Sequence, residues 1–487
     1  MTYARLMLER FEAGLNNFAS PFLETLQPYK TRDIFIGLVI LLTAFAVFAS
    51  LSTEAIANGD AAIYLQQMKN LNFTDRSVHL GYYLLGAGFI RLLPGSDDHA
   101  INLMNCFLGA ICIMLVYLIT FIICHKYIPA VVASLLLFTH YLFLENSVYA
   151  EVYTPQVCFL LLSILLWLLD KPILAALSFL LSFLITPSSI LALPCFFILR
   201  PRLRPLLLFC AIFAISAAVV IFPVWQSYFF GSRGLLNVAN RPLDLGWVLD
   251  KEGREIFSGF FPCLALIVVG LLEIFGRKQL RPFAFALLML WLVTLFSAEK
   301  IPDVSPQMPV YAMLCVVGGL GLALLLRISN NKAYIKFTIY AVMVAVIFAV
   351  FMNGLYAFEK IQALNKCRTG YRNTVIRINK VADPDYLVIG YWSIGILFEH
   401  YLFQKSFTPL WINTEWLDGT CGRQQQDESI KKYSQAVAAH RQIWLFGNYF
   451  EPIENLQQDG YKITRFDSVQ FTPAGPVIPI YVANAEK

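Results

Sequence analysis

Two short acidic stretches hold the side chains best suited to chemistry. The first is Asn58-Gly59-Asp60-Ala61-Ala62-Ile63-Tyr64, followed downstream by His79-Leu80-Gly81-Tyr82-Tyr83. The second runs Glu145-Asn146-Ser147-Val148-Tyr149-Ala150-Glu151-Val152-Tyr153-Thr154-Pro155. Each sets carboxylates beside tyrosines at the edge of an apolar run. An ionised Asp60 or Glu151 within hydrogen-bond reach could take the proton of an attacking hydroxyl, which is the work of a general base. A departing phosphate would need positive charge or N–H donors, most effective where water is scarce. Tyrosine rings offer a sugar a flat apolar face. Cationic candidates are Arg233, Arg241 and Lys300, the last within Glu299-Lys300-Ile301-Pro302-Asp303. Interfacial anchoring explains a boundary Arg or Lys equally well. His79 could contact a phosphate or an acceptor, or be an ordinary polar loop residue.

The elements that must position these groups are apolar helices. The chain is 58% hydrophobic and only 14% charged, with a mean hydropathy of +0.62. Runs such as Ile34 to Leu51, Leu206 to Phe222 and Phe337 to Phe351 approach the roughly 20 residues that cross a hydrocarbon core. A soluble protein would have too little polar sequence to cover them. The reading is an α-helical polytopic membrane protein with about eleven transmembrane helices. They lie near 34–53, 100–124, 127–144, 154–169, 172–187, 188–199, 206–229, 258–276, 282–298, 308–326 and 334–356. Residues 1–32 form a separate cytoplasmic segment. There Leu8, Phe11, Leu15, Phe18 and Phe22 recur at helical spacing, as in an amphipathic helix lying on the membrane.

Basic residues set the orientation. With the N-terminus inside, every inner turn carries Lys or Arg: Lys30 and Arg32, Lys126, Lys171, Arg200 to Arg204, Arg277 to Arg281, then Arg327 and Lys332. The apolar segment Leu80 to Leu93 is too short to span, and counting it as a span would move the later basic turns outside. It is therefore expected to lie along the outer surface. Outer loops are then 54–99, 145–153, 230–257 and 299–307, within a membrane domain of 33–357. Residues 358–487 follow as an extracytoplasmic soluble α/β domain. In it, strand-like runs at Tyr386 to Gly390 and Gln442 to Phe446 alternate with helix-like pieces, Ile394 to Phe403 and Glu428 to His440. The expected location is a cell (inner) membrane.

Several function classes lack support. The net charge is +5 over 487 residues, and the basic residues form no stripe, so nothing points to nucleic acid. No G-x-G-x-x-G, P-loop, C-x-x-C or H-E-x-x-H occurs. Eight of the ten cysteines lie in or beside apolar runs, where a thiol acts as a small hydrophobe. Cys367 and Cys421 both fall in the outer domain, where an oxidising compartment would allow a disulfide, but sequence separation leaves their geometry open. No cofactor is required by the sequence, although a divalent cation is compatible with the acids. Taken alone, these residues describe a membrane protein with an outward acidic site, which a carrier would also need.

The run Val148-Tyr149-Ala150-Glu151-Val152-Tyr153-Thr154, leading into a span that ends with Trp167, resembles the Ala-Glu-Val-Tyr element of a branch of GT-C membrane glycosyltransferases. That branch is similar to the protein O-mannosyltransferases and includes the O-mannosyltransferase acting on plexin-type receptors. His79 through Pro94, and Ile301-Pro302-Asp303 leading to Pro309-Val310-Tyr311, fit the same pattern, and Asp60 matches the acid of the first outer loop. The likeness covers roughly residues 30–330. One departure is plain: the family's His-Pro-Pro reads His79-Leu80-Gly81 here. The resemblance implies a polyprenyl-phosphate-linked sugar donor, a protein, lipid or glycan acceptor, no nucleotide sugar, and inversion at the anomeric carbon. Asp60 would then be the base, with Glu151 orienting the acceptor or supporting a metal. Arg233, Arg241 or Lys300 would hold the donor phosphate. His79, Tyr82, Glu145, Tyr153 and Asp303 would line the substrate site. Two alternatives remain: a carrier or flippase for a lipid-linked sugar, and a non-catalytic polysaccharide-assembly subunit.

Overall fold

From Ile34 to Leu51 nearly every residue is apolar, so no polar face directs the run toward water. In the computed structural model it forms one continuous helix, α1 (Thr31–Leu51). Asp33 closes its start, with Oδ2 accepting from the Lys30 N–H (2.7 Å) and Oδ1 from the Tyr127 hydroxyl (2.7 Å). The structure describes residues 26, 29–56, 59–71, 79–200, 202–230, 245–261, 263–300, 305–329, 333–382, 386–391, 407–412, 435, 437, 439–446, 456–458, 460–470, 473 and 477–485. Within these, the side chains at 293–300, 333–339, 389–391 and 407–412 and at scattered positions in 227–258 are not described.

After α1 come α2 (Gly59–Asn70), α3 (Leu80–Leu92), α4 (Asp97–Cys124), α5 (Tyr127–Phe138), α6 (Tyr141–Val148), α7 (Tyr153–Leu168) and α8 (Pro172–Ile185). A 3-10 turn, Pro187–Ala192, leads to α9 (Leu193–Leu199), then α10 (Leu203–Ile221), α11 (Trp225–Phe230), α12 (Leu245–Phe260) and α13 (Leu264–Gly276). Next come α14 (Arg281–Lys300), α15 (Met308–Ser329) and α16 (Ala333–Val381). Helix thus occupies each of the segments expected to span. Among the described residues, however, only five helices combine the length and hydropathy of a full span, a sixth being added if α5 and α6 are one broken span. The physical reason is length. At 1.5 Å per residue the 14 residues of α8 reach about 21 Å, short of a hydrocarbon core of about 30 Å.

Three boundaries differ from the sequence reading. The expected third span is broken, α5 and α6 meeting at 68°. A break inside a membrane frees backbone carbonyls, and Asn353 answers one of them, its Nδ2 donating to Thr139 O (3.2 Å) as well as to Gly259 O (3.0 Å) in the last turn of α12. The expected eighth span, 258–276, starts as the end of α12 and resumes as α13. The last expected span does not stop at 356, since α16 continues unbroken to Val381.

Burial separates central from peripheral helices. In α4 and α15, 72% of the apolar window is buried, against 22% in α1 and 17% for α10 with its extension. Most exposed side chains of α1 and α10, among them Phe35, Leu42, Ile215 and Val219, are apolar, as a lipid-facing stripe requires. Helix α4 packs against α1, α5, α6, α7 and α15. Its start is set by Ser96, whose side chain accepts from the His99 N–H, and its end by His125 in the left-handed region (φ 54°). Polar side chains within the bundle are spent on helix packing: Ser163 donates to Ala175 O (2.7 Å), Ser178 to Phe159 O (2.8 Å) and Ser182 to Gln156 O (3.0 Å).

The chain divides into two compact units, one comprising Met1–Ser52 and Gln67–Phe358, the other Thr53–Gln66 and Glu359–Lys487. Among the described residues the second contains five strands: β1 (Tyr386–Tyr391), β2 (Phe407–Ile412), β3 (Gln442–Phe446), β4 (Tyr461–Gln470) and β5 (Val477–Ala485). Their order is β2-β1-β3-β5-β4. β1 lies parallel to β2 and β3, while β5 runs antiparallel to β3 and β4, with a bulge in β4 at Arg465 to Asp467. Leu387, Val437, Ile443, Leu445, Leu456 and Ala483 form its buried core. The piece Thr53–Gln66 belongs to this unit, and within it Glu54 pairs with Arg372 of α16 at 2.9 Å. The expected helices at 394–403 and, for the most part, 428–440 lie outside the described residues, as does the expected amphipathic N-terminal helix.

Candidate active site

Asn102 and Asn105 stand three residues apart on α4 and so share a face. Both are fully buried. Between α6 and α7 the chain leaves helical geometry for four residues, Tyr149 to Val152, and buried backbone groups there need partners. The two amides supply them. Asn105 Nδ2 donates to the carbonyls of Asn146 (3.2 Å), Tyr149 (2.6 Å) and Glu151 (2.7 Å), while Asn102 Oδ1 accepts from the Ala150 N–H (2.8 Å). An amide has two N–H hydrogens, so three carbonyls share two donors. The turn carrying Glu151 is thereby fixed to the most buried part of the bundle.

Tyr82 completes the arrangement. It is fully buried on α3, and its hydroxyl donates to Asn105 Oδ1 (3.3 Å). Burial, and then the negative charge of Glu151, push its phenol well above the ordinary tyrosine value. It therefore stays a neutral O–H donor next to a half-buried carboxylate. Such a pair can orient a hydroxyl or receive its proton, since the carboxylate is held by its own backbone rather than by a loose loop.

Close packing supports the turn from behind. At Gly109 an added Cβ would sit 2.6 Å from Ser147 Oγ, so the absence of a side chain lets α6 approach α4. Ser147 Oγ and Thr154 Oγ1 lie 3.4 Å apart, tying α6 to the first turn of α7. Below them Gln156 Nε2 donates to Ser189 Oγ (3.0 Å).

The predicted residues fall into three groups. Glu151, Tyr82, Tyr153 and Glu145 belong to the first unit. Tyr153 opens α7 and Glu145 lies on α6, both half-buried. His79 sits at the start of α3 with Nδ1 at 2.7 Å from the Ile185 carbonyl, so that nitrogen must carry the hydrogen. Where the resembling families have proline, Gly81 has its Cβ position only 3.0 Å from the Ile185 nitrogen, which brings α3 against the end of α8. Asp60 occupies the first turn of α2, half-buried, where a helix N-terminus attracts negative charge. It belongs to the second unit and Glu151 to the first, so each is described within its own. Arg233, Arg241 and Asp303 lie outside the described residues, as does the side chain of Lys300, whose backbone ends α14. Cys367 is half-buried on α16, and Cys421, its expected partner, lies outside the described residues. Among the described residues no group of three or more His, Cys, Asp or Glu side chains could hold a metal ion.

Asn102 and Asn105, which hold the turn of the candidate site, are positions that sequence reading missed. A signal was present: two amides three residues apart near the start of a membrane-length apolar run are costly unless they have partners.

No protein-family profile matches the sequence, and no curated protein matches it. Solved structures do. ArnT from Cupriavidus metallidurans, in a crystal structure bound to undecaprenyl phosphate, aligns with a TM-score of 0.57 at 10% identity over 93% of this chain and 98% of that one. The Archaeoglobus fulgidus oligosaccharyltransferase, tethered to an acceptor peptide, gives 0.52 at 12% identity over 93% of this chain and 74% of that one. Arabinofuranosyltransferase AftD from Mycobacteria gives 0.52 at 12% identity over 95% of this chain and 40% of that one. At these identities the likeness is one of fold: this chain is a helical membrane protein with the fold of GT-C glycosyltransferases.

Proposed function

We propose that the protein is an integral-membrane glycosyltransferase that moves one sugar from a polyprenyl-phosphate carrier to an acceptor hydroxyl on the extracytoplasmic side, with inversion. The observation that carries this reading is the Glu151 turn, pinned by Asn102 and Asn105 beside the Tyr82 hydroxyl, within a chain that aligns over nearly its whole length with a transferase crystallised with undecaprenyl phosphate. The acceptor oxygen forms a bond to the anomeric carbon as the bond from that carbon to the phosphate oxygen breaks. Asp60 takes the acceptor proton, and polyprenyl phosphate leaves with the electron pair. Glu151 orients the acceptor, and Arg233, Arg241 or Lys300 holds the phosphate. The mannosyl-transferring branch is favoured by the Val148-to-Thr154 run, with protein, lipid or glycan as acceptor. The membrane is a cell inner membrane, with the N-terminus cytoplasmic and residues 358–487 outside.

A carrier would need polar side chains lining a path, whereas Ser163, Ser178 and Ser182 are engaged with carbonyls of packed helices. The test uses purified protein and a panel of radiolabelled polyprenyl-phosphate sugars, read as donor consumption. Asp60→Asn should lower transfer by roughly 100-fold or more while folding and donor binding persist. Near wild-type turnover in that variant would remove Asp60 as the base. Solute flux in vesicles with no glycosylated product would replace the reading with a carrier.

A further inference from the structure

The end of α4 remote from Asn102 carries a feature that sugar transfer does not use. From Asn102 to His125 the helix advances roughly 35 Å at 1.5 Å per residue, about the thickness of a hydrocarbon core. There His125, Lys126, Glu273, Arg277, Gln279 and Arg327 line a cavity of about 370 Å³ among the ends of α4, α13 and α15.

Its construction follows from tight helix contact. A Cβ at Gly270 would collide with Val317 O, and one at Gly321 with Leu266 O, so α13 and α15 touch backbone to backbone. That contact brings Arg327, near the end of α15, to Glu273 on α13. Glu273 has only 9% of its side chain exposed and holds two guanidinium groups, Arg277 Nη1 at 3.2 Å and Arg327 Nη2 at 3.2 Å. One carboxylate cannot use the five N–H donors of each arginine. With Lys126 added, three cations face a single carboxylate, and the hollow keeps a formal surplus of two positive charges.

We infer that this cavity binds an anionic phosphate group. The oxygens of a phosphate match the planar fork of arginine in two parallel bonds, and an ammonium adds a point charge beside it. Two sources could present that group at the basic end of a membrane bundle: the head group of an anionic phospholipid, or a soluble phosphate ester. Basic pockets between transmembrane helices on the cytoplasmic side are suited to the first. The site is separate from the Glu151 turn, and the inference does not depend on glycosyl transfer.

The experiment measures lipid retained by the purified full chain, by native mass spectrometry, after exchange into phosphatidylglycerol or phosphatidylcholine. A parallel arm adds inorganic phosphate and follows thermal stability. Phosphatidylglycerol should be retained in preference, and Lys126→Gln, which leaves the Glu273 network whole, should cut that preference roughly fivefold. Glu273→Gln removes the competing carboxylate and should strengthen retention several-fold, a change that a purely structural ion network would not give. Stabilisation by millimolar phosphate without preference for phosphatidylglycerol would uphold the site and assign it to soluble esters, provided Lys126→Gln abolishes it. Equal retention of both lipids with no phosphate effect, or a Glu273→Gln variant that binds either probe no better, would overturn the inference.

Discussion

The two ends of α4 solve the same problem by opposite means. At one end a non-helical turn is buried, and neutral amides from Asn102 and Asn105 satisfy it. At the other, Glu273 binds two arginines that are 45–46% exposed. Neutral groups can be buried completely once each is hydrogen-bonded, because the bonds they form replace the water contacts they lose. Charged pairs stay partly wet, because full burial would cost more than their attraction returns. Rigidity is therefore expected at the Glu151 end and adaptability at the basic end.

The largest effect that could break this contrast belongs to Asn105→Leu. It strips a donor from two buried carbonyls and one part-buried carbonyl, and an acceptor from the Tyr82 hydroxyl, so a loss of about 3 kcal/mol or more is expected. Thermal unfolding in detergent measures it, and a loss below about 1 kcal/mol would mean that the turn is held elsewhere. Next comes Glu151→Gln. Asn105 grips the Glu151 backbone and not its carboxylate, so transfer should fall roughly 100-fold while the melting temperature stays near wild type. Parallel loss of both would make Glu151 a structural residue. The smallest effect is that of Glu273→Gln on stability. Its arginines are half in water, so solvent screening limits the cost to about 1 kcal/mol or less, with transfer unchanged.

Much of the bundle was legible beforehand because membrane crossing leaves a compositional mark. Every expected apolar segment carries helix, and the strands Tyr386–Tyr391 and Gln442–Phe446 appear where β-branched and aromatic residues cluster. The break at Thr139 and His140 was not legible, because the partner of its carbonyl, Asn353, is more than two hundred residues away. The site was half legible. Glu151 and Tyr82 stand out by type and neighbourhood, but the amides that hold the turn read as part of a span. Likewise, Thr53–Gln66 reads as part of one loop, 54–99, yet groups with the C-terminal unit, where Glu54 meets Arg372 across 318 residues.

Sequence alone determined that this chain is built for a membrane, which segments are helical, and which short stretches could carry a carboxylate to a substrate. Those properties are local, since hydropathy and spacing act within one element. Only the tertiary structure decided which groups meet. It brought Asn105 to Glu151 and Arg327 to Glu273 through helices that touch at positions far apart in the chain, and no local pattern encodes the register of that contact.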